Sequence, residues 1–451
     1  MKRLALTVLV MVTSFGCESV NRRSLPTDFA AGEYGRCRKI IDKHARSEYR
    51  DKHVYQLERS MVDLAEGKTK PAINMLRQGR NRLDQLVGDD WKANLGSLFL
   101  DDTVRPYAGQ PYEHVITRAM LACADLMGDG DDAESYALQV IQRQVQLMEN
   151  YQDRSGKSIS KGAYKLVAFG TYLKGIMDEE ALNFNSAERQ FKKVRELEPA
   201  FAYGQSSLRR AKNGAHSKKG NGVVHVISLV GMGPYRVESN EPVTQAAAAI
   251  AHFIWGAFRN RASIPNIATV KIPKLAYHRN NPSEVHVSVN GKSAGRTATV
   301  TDVDEIATAE FNALKDHIIA RAVVRRAVKV AATIAAQEAL TSGHKRRSAT
   351  ADLISLGISA AGVAWAAAEQ ADTRCWSLLP SKFQVLRIEL PEGDHEITLR
   401  AGRRGQPTGR AQTVRVHVRD GYNTYVLGLV PSLQGGPQPL TSDPAHAGPA
   451  S

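Results

Sequence analysis

The chain has 451 residues, enough for two or three domains with their own cores, and 43% of its residues are hydrophobic, as is typical of globular proteins. After residue 17, no run of 18 apolar residues predicts a membrane-spanning helix. The formal net charge of +14 favours contact with anionic surfaces. The basic residues are scattered and form no recognisable nucleic-acid-binding module, so a nucleic-acid partner is not expected.

The N-terminus has the pattern of an export signal. Lys2 and Arg3 precede an apolar run at residues 4–12 that is too short to span a bilayer, and small residues lead up to Cys17. This pattern resembles the lipobox of bacterial lipoprotein signal peptides, although Ser14 stands where leucine is preferred. The resemblance implies acylation of Cys17, for example with palmitate, and a location in the cell envelope facing the periplasm, with the outer membrane favoured over the inner. An ordinary secretory peptide and an uncleaved anchor are the alternatives.

The segment after the signal and the cysteine content set further limits. Residues 18–27 are polar and predict a tether between the lipid and the first folded element. If Cys17 is acylated, Cys37, Cys123 and Cys375 remain, an odd number without CxxC spacing, so zinc or redox chemistry is not expected. Simple buried thiols are favoured, and a disulfide between Cys37 and Cys123 is the alternative.

Residues 28–212 have apolar side chains at helical spacing. In three segments, which begin near Leu64, Leu126 and Gly175, small residues recur close to larger apolar ones. These segments resemble the tetratricopeptide (TPR) repeat, in which small residues let two helices pack closely. The resemblance implies an array of helix hairpins with a curved surface for docking proteins or peptides. A generic helical bundle is the alternative.

An irregular segment at residues 89–112 interrupts this helical pattern. It contains glycine, acidic residues and the aromatic residues Trp91 and Tyr107. Long loops inside compact domains are uncommon unless they have a function. The segment is therefore expected either to cover the groove of the array or to contact a partner.

After a polar linker at residues 213–221, the pattern changes to β-strands over residues 222–431. An alternating strand ends in Asn290-Gly291, which predicts a hairpin turn, and a Leu-Pro-Glu-Gly-Asp-His sequence at 390–395 separates two further strands. Together these pieces are similar to a PEGA-type module, a small β-sandwich unit of envelope and surface-layer proteins. The predicted fold class is therefore α+β and multidomain: a TPR-like helical array followed by a β-sandwich.

A helical insertion is expected within this sandwich at residues 302–372. The apolar spacing predicts helices over 307–340 and 351–371, joined as an αα-hairpin. The hairpin either packs on the rest of the molecule or serves as an oligomerisation or membrane-dipping element. Residues 432–451 are rich in glycine, proline and serine and predict a disordered tail.

The run that ends the insertion holds Asp372, Arg374 and Trp376 and continues to Leu-Pro. It is similar to a run that recurs in a group of uncharacterised bacterial envelope lipoproteins with a TPR-like first half, a resemblance that implies no known activity. With Trp91 and Tyr107, these three residues form the candidate binding surface. A buried turn stabilised by the Asp and the Arg is the alternative.

No nucleophile elbow and no His-Glu-x-x-His motif occurs in the sequence. No catalytic, cofactor-binding or metal-ligating residue is therefore predicted, and the chain is not expected to be an enzyme. The first hypothesis is a lipid-anchored scaffold that binds envelope proteins in the assembly or export of a surface structure. The second is a lipoprotein that binds peptidoglycan or polysaccharide, with aromatic side chains stacked on the sugars. An unrecognised hydrolase is the third.

Overall fold

The computed structural model describes residues 18–92, 105–150, 165–257, 267–341 and 370–442. Within these ranges the chain has an α+β fold. Nine α-helices occupy the described part of the chain up to residue 212, and strands in three sheets follow, with two further helices between them. The predicted α+β class is therefore confirmed.

The helices of the N-terminal half pack mainly on their neighbours in sequence. Their bounds are α1 Glu18–Ala30, α2 Tyr34–Ser47, α3 Lys52–Ala65, α4 Thr69–Lys92, α5 Pro111–Leu126, α6 Ala133–Asn150, α7 Phe169–Glu180, α8 Phe184–Leu197 and α9 Gly204–Lys212. The first eight form four consecutive helix hairpins. Small residues allow the close approach within a hairpin: a Cβ added to Gly175 in α7 would lie 2.8 Å from the ring of Phe191 in α8.

The predicted tether at residues 18–27 is instead most of helix α1. Leu25 and Phe29 lie four residues apart on one face of α1 and are buried in the main core. The hydroxyl of Ser432 donates a hydrogen bond of 3.0 Å to the carbonyl oxygen of Ala30 at the end of the helix. The prediction was wrong because these two apolar side chains give the segment an inward face, which a flexible tether would not have.

The strands of the C-terminal half form a five-stranded, a four-stranded and a two-stranded sheet. Their bounds are β1 Asn221–Val230, β2 Tyr235–Pro242, β3 Thr269–Ala276, β4 Glu284–Val289, β5 Lys292–Arg296, β6 Ala298–Asp302, β7 Lys382–Pro391, β8 Gly393–Arg403, β9 Gln406–Val418, β10 Asn423–Val430 and β11 Gln438–Thr441. The five-stranded sheet has the order β11-β10-β1-β7-β6, and the four-stranded sheet has the order β5-β4-β8-β9. All described strand pairs are antiparallel except β1 with β10.

The five-stranded and four-stranded sheets share one hydrophobic cluster, in which Val226 and Leu386 meet Val287 and Leu399. Strands β7 and β8 are separated by a single residue, so the chain passes directly from one sheet to the other. The Asn290-Gly291 turn joins β4 to β5, and both residues have the positive φ angles of 50° and 77° that such a hairpin turn requires. Because β4 also pairs with β8, the strand before the Asn290-Gly291 turn and the strand after the Leu-Pro-Glu-Gly-Asp-His sequence are neighbours in one sheet, whereas β7 lies in the other.

The predicted insertion begins with one long helix, α11, from Val303 to Thr341. It packs against β3 and against helix α10, Gln245–Ala257, to form a third hydrophobic cluster. The second helix of the predicted hairpin falls on residues 351–369, which lie outside the described residues. Residues 370 and 371, the end of that prediction, are not helical.

The predicted disordered tail begins too early. Residues 432–442 belong to the fold, because β11 pairs with β10 at the edge of the five-stranded sheet. Leu433 and Leu440 each pack against a hydrophobic cluster, which explains why this proline- and glycine-rich segment is held in place. Residues 443–451 lie outside the described residues.

The two halves of the chain share one core. Phe169 of α7 packs on Phe383 of β7, with 4.7 Å between the ring centroids, and both belong to the largest hydrophobic cluster. The hydroxyl oxygen of Thr301 in β6 accepts hydrogen bonds from the backbone N–H groups of Ala168 and Phe169, at 3.1 and 3.0 Å. The linker at residues 213–221 therefore connects two parts of one body within the described structure.

Candidate functional site

The candidate residues Asp372, Arg374 and Trp376 lie in a non-helical segment, residues 370–381, which we call the strap. The strap runs from the helical insertion to β7 and crosses the first helices of the second and third hairpins, α3 and α5. Its position places the predicted site at a junction between the two halves of the molecule.

Arg374 is the centre of this junction. Its Nη1 donates to both carboxylate oxygens of Asp51, at 3.0 and 2.8 Å, and to the carbonyl oxygen of Arg105 at 2.7 Å. Its Nε and Nη2 donate to the two carboxylate oxygens of Asp372, at 2.9 and 2.8 Å. The guanidinium also lies 5.6 Å from the centroid of the Tyr107 ring. The fixed fork of donors on arginine suits two carboxylates at once.

The contact stabilises the ionised forms of both Arg374 and Asp372. Burial alone would lower the pKa of Arg374, but the carboxylates of Asp372 and Asp51 raise it above its ordinary value. Burial would likewise raise the pKa of Asp372, but the hydrogen bonds from Arg374 hold it below its usual range. The cluster is therefore a buried set of opposite charges, and each charge depends on its partners.

Two glutamates from the helices bind the backbone of the strap. Glu58 of α3 accepts hydrogen bonds from the backbone N–H and the hydroxyl of Ser377, both at 2.7 Å, and from the backbone N–H of Leu378 at 2.9 Å. Glu113 of α5 accepts from the backbone N–H of Trp376 at 3.0 Å. These carboxylates satisfy buried N–H groups that an extended segment would otherwise leave without partners.

Both described aromatic residues of the candidate surface are buried. Tyr107 is 4% exposed and donates a hydrogen bond of 2.7 Å to Glu113, and Trp376 is 1% exposed. A ring can stack on a sugar only if one face is open to solvent, so neither side chain forms the predicted binding surface. Trp91 lies in α4, and its side chain is outside the described residues. The alternative of a buried turn with an Asp and an Arg describes Asp372 and Arg374 correctly.

The sequence analysis did not identify Glu58 and Glu113 as partners of the strap, although the sequence contains one indication for Glu58. Glu58 lies between Val54, Leu57 and Met61 on the apolar face of its helix, where a solvated glutamate would not be expected. A charge on an inward face indicates a buried polar partner. The sequence does not indicate which distant segment supplies that partner.

A further buried carboxyl lies beside this junction. Glu310 of α11 is 4% exposed and accepts a hydrogen bond of 3.0 Å from the backbone N–H of Tyr112, the residue before Glu113. Burial raises the pKa of Glu310 to about 8. It lines a small, mainly apolar pocket of about 40 Å³ together with Val115 and Ile306. A void of this size has room for a few water molecules at most.

A second junction, around Asn423 at the start of β10, joins the sheet to α7. The backbone N–H and the side-chain amide of Asn423 donate to the carboxylate of Glu180, at 2.8 and 3.1 Å. The amide oxygen lies 2.9 Å from Nε2 of His216 and 3.2 Å from Nε2 of His225. Burial raises the pKa of Glu180 and lowers the pKa of His225, so both groups are shifted toward their neutral forms.

The remaining predictions about sites concern cysteines, metals and the membrane. Cys37, Cys123 and Cys375 are buried and lie outside any disulfide bond of the described structure, so the alternative of a Cys37–Cys123 disulfide was wrong. Cys17 lies outside the described residues. Among the residues that the structure does describe, no group of His, Cys, Asp and Glu side chains could hold a metal ion. No helix in that part of the chain is long and apolar enough to cross a membrane.

Comparison with known proteins gives no assignment: no protein-family model, no curated protein and no solved structure matches this chain.

Proposed function

We propose that the chain is a lipid-anchored envelope lipoprotein that acts as a protein-binding scaffold. In this proposal Cys17 is acylated and the body faces the periplasm, with the outer membrane favoured over the inner. One observation carries this proposal. The residue after Cys17, Glu18, is already helical, and this helix, α1, packs into the core through Leu25 and Phe29. An acyl group at Cys17 would therefore hold the whole body close to the bilayer in a restricted orientation, as suits a scaffold that presents a surface to partners.

The four helix hairpins and the two facing sheets support a TPR-like array combined with a β-sandwich. In this arrangement the first helix of every hairpin contacts the C-terminal half, for example through Ala30 of α1, Glu58 of α3, Glu113 of α5 and Glu180 of α7. The C-terminal half thus covers the face, formed by these first helices, on which a TPR-like array would bind a peptide. The docking surface of the proposed scaffold lies elsewhere.

The outer face of α6, the second helix of the third hairpin, has the character of such a docking surface. Leu138 and Val145 are 37% and 48% exposed and lie seven residues apart, on the same side of the helix. The exposed residue between them, Gln142, is uncharged. Exposed apolar side chains with no exposed charge between them are typical of protein-protein contacts. The carbohydrate-binding alternative has less support, because Tyr107 and Trp376 are buried.

Metabolic labelling with an alkyne fatty acid tests the anchor. We expect label on the wild-type protein and also on the control variant Cys123→Ala, because removal of this fully buried thiol leaves the acylation site intact. The variant Cys17→Ser should carry no label and should keep residues 1–17. Equal labelling of Cys17→Ser and the wild type would contradict the anchor.

A photo-crosslinking residue at position 142 tests the docking face on the intact protein in its own envelope. We expect a discrete cross-linked envelope protein, and we expect the double change Leu138→Asp and Val145→Asp to abolish it while leaving the thermal melting temperature unchanged. A crosslinker at position 192 on the exposed face of α8 is the matched control. The same cross-linked product from both positions, or none from position 142, would remove the support for a docking face on α6.

A further inference from the structure

In the first hairpin, the C-terminal end of α2 lies beside the N-terminal end of α1, which follows the proposed anchor. Helix α1 starts at Glu18, and α2 returns after a turn of three residues, so α1 and α2 run antiparallel. The end of α2 at Ser47 therefore lies beside the start of α1. If Cys17 carries acyl chains, this end of the hairpin is the part of the described body nearest the bilayer.

This end of α2 exposes basic and aromatic side chains. Lys39, Lys43 and Arg46 are exposed and lie at i, i+4 and i+7 spacing, which puts them on one face of the helix. Tyr49, in the turn that follows α2, is 77% exposed. Tyrosine beside lysine and arginine is the residue combination that proteins place at the membrane-water interface, where the ring lies at the headgroup level.

The acidic residues of the same region are bonded to other side chains. Asp42 accepts a hydrogen bond of 3.2 Å from Arg59 of α3, and Glu48 lies 3.1 Å from Nδ1 of the buried His44. Between Lys39 and Arg50 the sequence has four basic and two acidic residues. The exposed face at the end of α2 therefore has a net positive charge.

We infer that Lys43, Arg46 and Tyr49 form a contact surface for anionic lipid headgroups and hold the body flat against the membrane to which it is tethered. The inference rests on the proposed acylation of Cys17, because that anchor determines which end of the hairpin faces the bilayer. Each basic residue near an anionic bilayer strengthens binding by about 1 kcal/mol, so two of them change the affinity about 30-fold. Besides strengthening membrane binding, the patch would orient the body, because it favours one of the orientations that a lipid tether alone would permit.

Vesicle co-sedimentation tests the surface without the anchor. The chain from Glu18 to Ser451 contains every residue that the structure describes, and its cooperative melting can be checked by circular dichroism. We expect it to bind vesicles of phosphatidylcholine with 30% phosphatidylglycerol, to bind phosphatidylcholine alone much more weakly, and to be released by 0.5 M salt, because the interaction is screened. Binding that is equal for both vesicle compositions would overturn the inference.

Two double variants separate this surface from net charge. Lys43→Gln with Arg46→Gln should weaken binding to the anionic vesicles by about 10- to 30-fold. Arg189→Gln with Lys192→Gln removes the same two charges at the same spacing from the exposed face of α8 and should change the affinity less than 3-fold. Equal losses in the two variants would show attraction by net charge and overturn the inference. The fatty-acid label on Cys17 is a separate readout, so the anchor and the headgroup surface can fail independently.

Discussion

The two polar junctions between the halves differ in how they carry charge. At the Arg374 junction, a permanently charged guanidinium is held between two carboxylates, and the pKa values of Arg374 and Asp372 are both shifted toward their ionised forms. At the Asn423 junction, a neutral amide lies between a glutamate and two histidines, and burial shifts Glu180 and His225 toward their neutral forms. The first junction depends on the attraction between buried opposite charges, whereas the second tolerates the loss of a charge.

The largest effect is expected from breaking the charge match. Arg374→Ala would leave Asp51 and Asp372 buried without their cation, which costs about 3–5 kcal/mol of unfolding free energy. Urea denaturation measures this loss. The conservative variant Arg374→Lys should recover only part of it, because lysine cannot donate to both carboxylates in a fork. A loss below 1 kcal/mol for Arg374→Ala would show that the junction is not a buried charge cluster.

An intermediate effect with a pH dependence is expected at Glu310. A carboxyl with a higher pKa in the folded than in the unfolded chain favours folding when protonated, so this group loses its stabilising effect as the pH rises from 4.5 to about 8. Glu310→Gln should match the wild type near pH 4 and exceed its unfolding free energy by about 2 kcal/mol at pH 6, since pH 6 lies about 1.5 units above the unfolded pKa of 4.5 and each unit corresponds to about 1.4 kcal/mol. The exposed Glu392→Gln is the control and should show no such divergence. Parallel curves for Glu310→Gln and the wild type would contradict the raised pKa.

The smallest effect is expected at the neutral junction. Asn423→Ala removes the side-chain donor to Glu180 and the acceptor for the two histidines and should lower the unfolding free energy by about 1–2 kcal/mol. The loss is moderate because the backbone N–H of residue 423 still donates to Glu180, which can also take up a proton. Chemical denaturation at pH 7 measures it beside Arg374→Ala. A loss as large as that of Arg374→Ala would erase the distinction between the two junctions.

Local features of the fold were predictable from the sequence. The helical spacing of the first half and the Asn290-Gly291 hairpin both depend on residues close in the chain, and the structure has both. The first helix of the insertion was also placed correctly, at 307–340 within α11. Such features follow from side-chain periodicity and turn geometry, which a short window contains.

The errors all concern contacts between distant segments. Residues 18–27 and 432–442 were assigned no fixed structure because their composition is polar or rich in glycine and proline, yet each is held by a few apolar side chains that pack on remote parts of the chain. The candidate surface failed for the same reason. Trp376 and Tyr107 have the composition of a binding site, and only the contacts of the strap with α3 and α5 show that they belong to the interior.

The contact between Ala30 and Ser432 spans 402 residues and has a consequence for biosynthesis. The first helix of the body cannot reach its final packing until almost the entire polypeptide has left the ribosome. Arg374 imposes a similar delay, because its partner Asp51 precedes it by 323 residues. Contacts between residues so far apart in the sequence form late in folding. A chain built in this way remains incompletely folded throughout its synthesis, a state that would suit the export that we propose.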